Sequence, residues 1–269
     1  MTTHTVSGLP DLIQVVAEQQ HPLLFATISG AHLYGFPSRD SDIDLRGVHL
    51  LPLHDLLGLT PPQETQSRMW DADGLEMDLV THDLAKFARL LLRPNGYVLE
   101  QLLSPLVVHT TPEHTALAGL APRLLTRHHA HHYRGFAKTQ WRLFGKSGEL
   151  KPLLYTFRVL LTGIHLMRAH EVQADLPTLL DSVRAPDYVR DLVAAKAAAE
   201  HGHLSTLDGA PSHERLTADV EALHAALDEA EQSTMLPDQS DAGTDLNELV
   251  VQTRLRAGGV PVSDLSDRP

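Results

Sequence analysis

Asp42 and Asp44 stand one residue apart in "SRDSDIDLRGVHLLP", and this spacing is the first in the chain that suggests chemistry. Side chains alternate between the faces of a β-strand, so both carboxylates would project from one face. Two anions so placed repel unless a cation lies between them. Mg²⁺ suits that position, because it takes carboxylate oxygens and leaves its remaining positions to water and phosphate. Asp78 in "LEMDLVT" is placed to be a third ligand, since its neighbours Met77 and Leu79 are apolar and an acid in a buried run is usually paired or metal-bound. Upstream, a turn through Gly30 would let backbone N–H groups approach a phosphate closely. Gly30 and Gly35 have the spacing that opens a P-loop, but Phe36-Pro37 follows where Lys and Ser or Thr are required, which excludes that motif.

The elements that must position these residues are legible in outline. "PLLFATIS" (22–29) predicts a buried strand and "DIDLRGVHLL" (42–51) a second. "TQSRMW" and "LEMDLVT" flank Asp71-Ala72-Asp73-Gly74, a hairpin turn with glycine where a positive φ is needed. A helix over 10–20 precedes the first strand, with Pro10 and Asp11 in its first turn. After Thr81 the period changes. "DLAKFARLLLR" and "GYVLEQLL" read as helices separated by Pro94-Asn95-Gly96, and nearly everything onward to about residue 256 has helical spacing. The segment 151–170 is apolar around most of its circumference and predicts a buried helix, whereas 191–231 reads as a solvated, acidic helix pair. The expected architecture is α/β: a catalytic domain with a mixed sheet over 1–105, a helical nucleotide- and acceptor-binding domain over 106–256, and a loose tail over 257–269.

The ordered motifs "SGAHLYGFPSRDSDIDLRGVHLLP", "DLAKFARLLLRPNGYVLEQLLSP" and "HYRGFAKTQ" resemble the predicted nucleotidyltransferases of the RNA repair pathway polymerase beta family (RlaP-like), within the polymerase beta superfamily. The resemblance spans roughly residues 23–170. It implies that Asp42 and Asp44 bind Mg²⁺ (or Mn²⁺), that Asp78 completes the site, and that a hydroxyl attacks the α-phosphate of a nucleoside triphosphate with release of pyrophosphate. The superfamily signature opens with Gly-Ser, but here Ala31 follows Gly30, and Ser29 on a strand would face the other way. The backbone of Ser29, Gly30 and Ala31 can still bind phosphate, so this departure implies weakened nucleotide affinity or selectivity.

Net charge is −12, yet Arg123 to Arg158 holds eight Lys or Arg against one acid, Glu149, giving that segment +7 and the remainder −19. Lys151, Tyr155 and Arg158 stand at i, i+4 and i+7, one helical face on which the cations would hold the β- and γ-phosphates and Tyr155 would stack on the base. Tyr133, Arg134 and Lys138 are the acceptor-binding candidates, basic residues beside an aromatic. Four histidines at 128, 129, 131 and 132 cannot all coordinate one ion from a helix, and they read as surface residues. The resemblance implies an RNA or other nucleic-acid end as acceptor, and the overall acidity suits a short end or a small molecule better than a long duplex. No cysteine is present, which excludes disulfides and thiolate zinc sites. No stretch approaches the roughly 20 apolar residues of a membrane span, and the first residues lack a basic region followed by an apolar one. The expected protein is soluble and cytoplasmic, without a membrane partner. Two alternatives stay open: transfer to a protein or small molecule, and a catalytically weak nucleotide-binding module.

Overall fold

The run after Pro22 forms β1 (Leu23–Ile28), every residue of which is buried. In the computed structural model, which describes residues 11–39, 41–72, 74–198 and 202–260, β1 lies inside a five-stranded sheet. Its other strands are β2 (Ile43–His49), β3 (Thr65–Ala72), β4 (Leu75–Asp83) and β5 (Val107–Thr110), in the order β3-β4-β2-β1-β5. β2 and β4 pair in parallel and the remaining neighbours antiparallel, so the sheet is mixed and the fold α/β. The β3–β4 hairpin closes at Gly74, whose φ of +84° is the left-handed turn expected there; Asp73 of the predicted turn lies outside the described residues.

The alternation of the strands separates two environments. Ala26, Ile28, Ile43, Leu45, Met77 and Leu79 form one small core with Leu12 of the helix α1 (Leu12–Ala17). Asp11 caps α1 by accepting from the backbone N–H of Ile13 and Gln14. This helix is shorter than the 10–20 expected, and Pro10 lies outside the described residues. The opposite sheet face, with Phe25 and Val48, belongs to a larger core that continues into the helices.

Those helices follow in chain order: α2 (Gly30–Tyr34), α3 (Leu53–Leu57), α4 (Leu84–Leu91), α5 (Gly96–Leu102), α6 (Pro112–Leu124), α7 (His129–Ser147), α8 (Leu150–Ala169), α9 (Leu176–Ser182), α10 (Tyr188–Ala198), α11 (His213–Ser233) and α12 (Gly243–Ala257). α8 is buried on nearly all sides and packs against α7, α9, α10 and α11. Consequently α11 is not a solvated helix: Leu216, Val220, Leu223, Leu227 and Ala230 face the core, and Asp228 and Glu231 reach across to α7. The stretch expected to be helical after residue 105 opens with a strand, because β5 pairs with the β1 edge. The end of the expected tail, residues 261–269, lies outside the described residues.

Candidate active site

The parallel pairing of β2 with β4 sets Asp44 directly beside Asp78. Both side chains point away from Met77 and Leu79, toward the helical layer, and both stay partly open, at 27% and 26% side-chain exposure. Arg46, two residues after Asp44 and therefore on the same face, donates from one Nη2 to Asp44 Oδ1 at 2.6 Å and to Asp78 Oδ2 at 2.7 Å. Its Nε donates to the Tyr97 hydroxyl at 3.0 Å, which ties α5 to the acids. Against the cost of burial, Tyr97, Asp44 and Asp78 keep this guanidinium charged.

Asp42 lies immediately before β2. Burial raises the Asp44 carboxyl above its ordinary value; Arg46 opposes that shift, the charges of Asp78 and Asp42 add to it, and Lys151 opposes it more weakly. All three acids and Lys151 therefore share one electrostatic neighbourhood. Carboxylate oxygens are the donors that a hard divalent cation such as Mg²⁺ or Mn²⁺ takes, but the three acids are not drawn around one point, and the Arg46 guanidinium stands in the place between Asp44 and Asp78.

Gly30 explains how closely the turn approaches these acids. Its φ is +62°, and a Cβ at this position would lie 1.8 Å from Asp44 Oδ2. Ser29 precedes it as the N-cap of α2, fully buried, and its backbone N–H donates to the Asp44 carbonyl at 2.8 Å. Ala31 is buried behind it.

Beside Asp44 and Gly30 opens a cavity of about 450 Å³, lined by Tyr34, Asn95, Tyr97, Glu100, His132, Phe136, Tyr155 and Arg158. Its floor is ionic. Arg158 and Glu100 are 2% and 1% exposed and meet at 3.0 Å, and the guanidinium lies 3.7 Å over the Tyr34 ring. Its walls are aromatic: Tyr155 packs edge-on against Tyr34, Phe36 and Phe136. Burial, followed by the nearby charge of Arg158, lowers the His132 imidazole below its ordinary value, so this wall is neutral at pH 7.

The fold thus brings Ser29, Gly30, Ala31, Asp42, Asp44, Asp78, Lys151, Tyr155 and Arg158 to one region, but changes the part Arg158 can play. It is held below the aromatic wall by Glu100 and is not an open cation on a helix face. Of the acceptor candidates, Arg134 and Lys138 share a face of α7 near His224, and Tyr133 does not join them. Tyr133 is fully buried, and its ring packs against the backbone of Gly96, where a Cβ would lie 2.5 Å from the phenol oxygen. Arg134 binds Asp228 and Glu231 of α11, each at 2.5 Å, while Lys138 lies exposed farther along α7.

Much of the expected basic surface is neutralised in the same way. Arg123 pairs with Asp241 and Asp245, and Arg127 pairs with Asp238. These acids follow the basic segment by about a hundred residues, and a local charge count does not register them.

Arg46, Glu100 and the aromatic lining other than Tyr155 are absent from the sequence-derived site. Two of them carried a signal. Arg46 continues the i, i+2 parity of Asp42 and Asp44, and Glu100 is a lone acid in the apolar run "GYVLEQLL", the feature that identified Asp78.

Residues 6–252 match the model of the RNA repair pathway DNA polymerase beta family, RlaP. The chain belongs to this family. It is 33% identical over 178 residues to an uncharacterized protein of Methanocaldococcus jannaschii, covering 64% of this chain and 70% of that relative. A solved nucleotidyltransferase-like protein from Exiguobacterium sibiricum aligns over 90% of this chain and 77% of its own, at 14% identity and a TM-score of 0.31, a likeness on which nothing further rests. Family membership makes this a polymerase beta-type nucleotidyltransferase-like protein. Among the described residues, no helix is long and apolar enough to cross a membrane.

Proposed function

We propose that the protein transfers a nucleoside monophosphate from a nucleoside triphosphate to an acceptor hydroxyl, with an RNA or other short nucleic-acid end as the acceptor. The observation that carries this reading is the pairing of Asp44 with Asp78 across parallel strands, beside an aromatic cavity of nucleotide size. Asp42, Asp44 and Asp78 would hold Mg²⁺ or Mn²⁺. When bound, the metal would supply neutralisation of the triphosphate and acidification of the attacking hydroxyl.

The protein's own groups divide the remaining work. Arg46 holds the Asp44 and Asp78 carboxylates at a fixed separation. Tyr155 and Phe136 offer ring faces to the base, and Lys151 supplies positive charge near Asp44 for the β- and γ-phosphates. The backbone at Gly30 and Ala31 lies beside the same carboxylate. As the hydroxyl oxygen bonds to the α-phosphorus and the α–β phosphoanhydride bond breaks, pyrophosphate leaves. Asp78 accepts the hydroxyl proton on Oδ1, because its Oδ2 is held by Arg46.

A second reading has its own support. The pairing of Arg123, Arg127 and Arg134 with acids removes much of the positive surface an RNA would contact, which favours a protein or small-molecule acceptor. Supplying each α-labelled triphosphate with Mg²⁺ or Mn²⁺ to separate pools of RNA ends, proteins and metabolites distinguishes the two. Label in RNA alone supports the first reading. Label in protein or metabolite alone replaces it with the second, and nucleotide binding without pyrophosphate release in any pool leaves a binding module.

A further inference from the structure

The four clustered histidines do not act together, because the helix they begin sends them in different directions. His129 turns inward, 1% exposed, with its Nδ1 against the Thr126 backbone and hydroxyl. His132 turns into the cavity wall. That leaves His128 and His131, three residues apart and thus on one side of the first turns of α7, with ring centroids 5.5 Å apart.

The fold places a third donor against them from a distant part of the chain. Glu231, near the end of α11, reaches His131 Nε2 with its Oε1 at 2.9 Å. One donor atom from each of His128, His131 and Glu231 lies within 4.8 Å of the other two. Arg134 holds the second oxygen of Glu231 at 2.5 Å and so fixes the direction in which the first one points.

We infer that His128, His131 and Glu231 form a binding site for a borderline divalent transition cation of the zinc class, separate from the aspartate site and bridging α7 to α11. Two imidazole nitrogens and one carboxylate oxygen are a zinc-type donor set, with a fourth position for water, whereas Mg²⁺ prefers oxygen alone. Donors sharing a zinc at about 2.0–2.1 Å stand about 3.4 Å apart, so closure from the observed spread asks for side-chain rotation and leaves the helices in place. His131 is 61% exposed on its side chain, which gives the ion an entry path. The site lies one turn from His132 and two from Phe136 on the same helix, so a bound ion would fix the end of α7 that lines the cavity.

The test is zinc titration of the full chain after chelator treatment, followed by calorimetry and thermal unfolding. The wild type is expected to take up a Zn²⁺ equivalent that raises Tm, and His128→Gln/His131→Gln to bind that equivalent at least about tenfold more weakly. Mg²⁺ should not reproduce the Tm rise. Asp42→Ala/Asp44→Ala should retain it, which separates this site from the aspartates. If the double histidine variant does not fold, Glu231→Gln carries the same comparison. Equal zinc uptake and an equal Tm rise in wild type and variant would mean adventitious histidine binding only and would overturn the inference, as would loss of the effect in the aspartate variant.

Discussion

Gly30 and Asp44 constrain each other. The turn sits at a left-handed φ and the carboxylate occupies the space a side chain would need, so Gly30→Ala meets two penalties. The backbone conformation alone costs about 1–2 kcal/mol, and Asp44 must move from its place beside Asp78. We expect a stability loss of at least about 1 kcal/mol by chemical denaturation, together with a fall of about 100-fold in pyrophosphate release, the usual consequence of misplacing a reacting group by about 1 Å. A fully active, fully stable variant would show that the approach of Gly30 to Asp44 is incidental. At this scale the sequence was legible in part: the apolar neighbours of Asp78 and the strand around Asp44 foretold that the two would sit on β4 and β2, whereas Asp42, expected on the same strand, lies just before it. Arg46 follows the same parity, two residues after Asp44, so the cation that the paired acids need is in part supplied by the chain itself.

At the scale of elements, the buried pair of Glu100 on α5 and Arg158 on α8 joins the helix that contacts the acids to the central helix of the bundle. Breaking such a pair leaves a buried charge without a partner, whereas removing both members removes the problem. Arg158→Met should cost about 3–5 kcal/mol. The double variant Glu100→Gln/Arg158→Met should cost less than the two single losses combined, by denaturant titration. Strict additivity would mean that the pair does not act as a unit. Helices with strong periodicity, such as α8, were legible. The strand Val107–Thr110 was not, since four residues are too few to show a period and only their pairing with β1 makes them a strand. The pairing of the basic segment's arginines is hidden for a related reason: their partners on α11, in the chain leading into α12 and in the first turn of α12 are neighbours in space and remote in sequence.

At the scale of the whole molecule, two buried histidines couple folding to pH. Burial is the main force lowering both His49 and His129, each to about 4, despite the opposing charge of Asp83 at the first and the Thr126 backbone at the second. The unfolded chain titrates near the ordinary imidazole value of about 6.5, so acidification protonates it before the folded form. Stability is therefore retained above about pH 6.5 and falls as pH drops toward 4, by up to about 1.4 kcal/mol per pH unit for each histidine. His129→Gln should flatten that fall by about one proton in denaturation curves taken from pH 7.5 to 4.5, and an unchanged slope would remove His129 from the account. The central claim rests on the acids joined across β2 and β4, and it is tested most directly by pyrophosphate release from nucleoside triphosphates with Mg²⁺ or Mn²⁺ and the acceptor pools, wild type against Asp44→Asn. The account predicts release by the wild type and its loss in a variant that is still folded by circular dichroism; release undiminished by Asp44→Asn would contradict it.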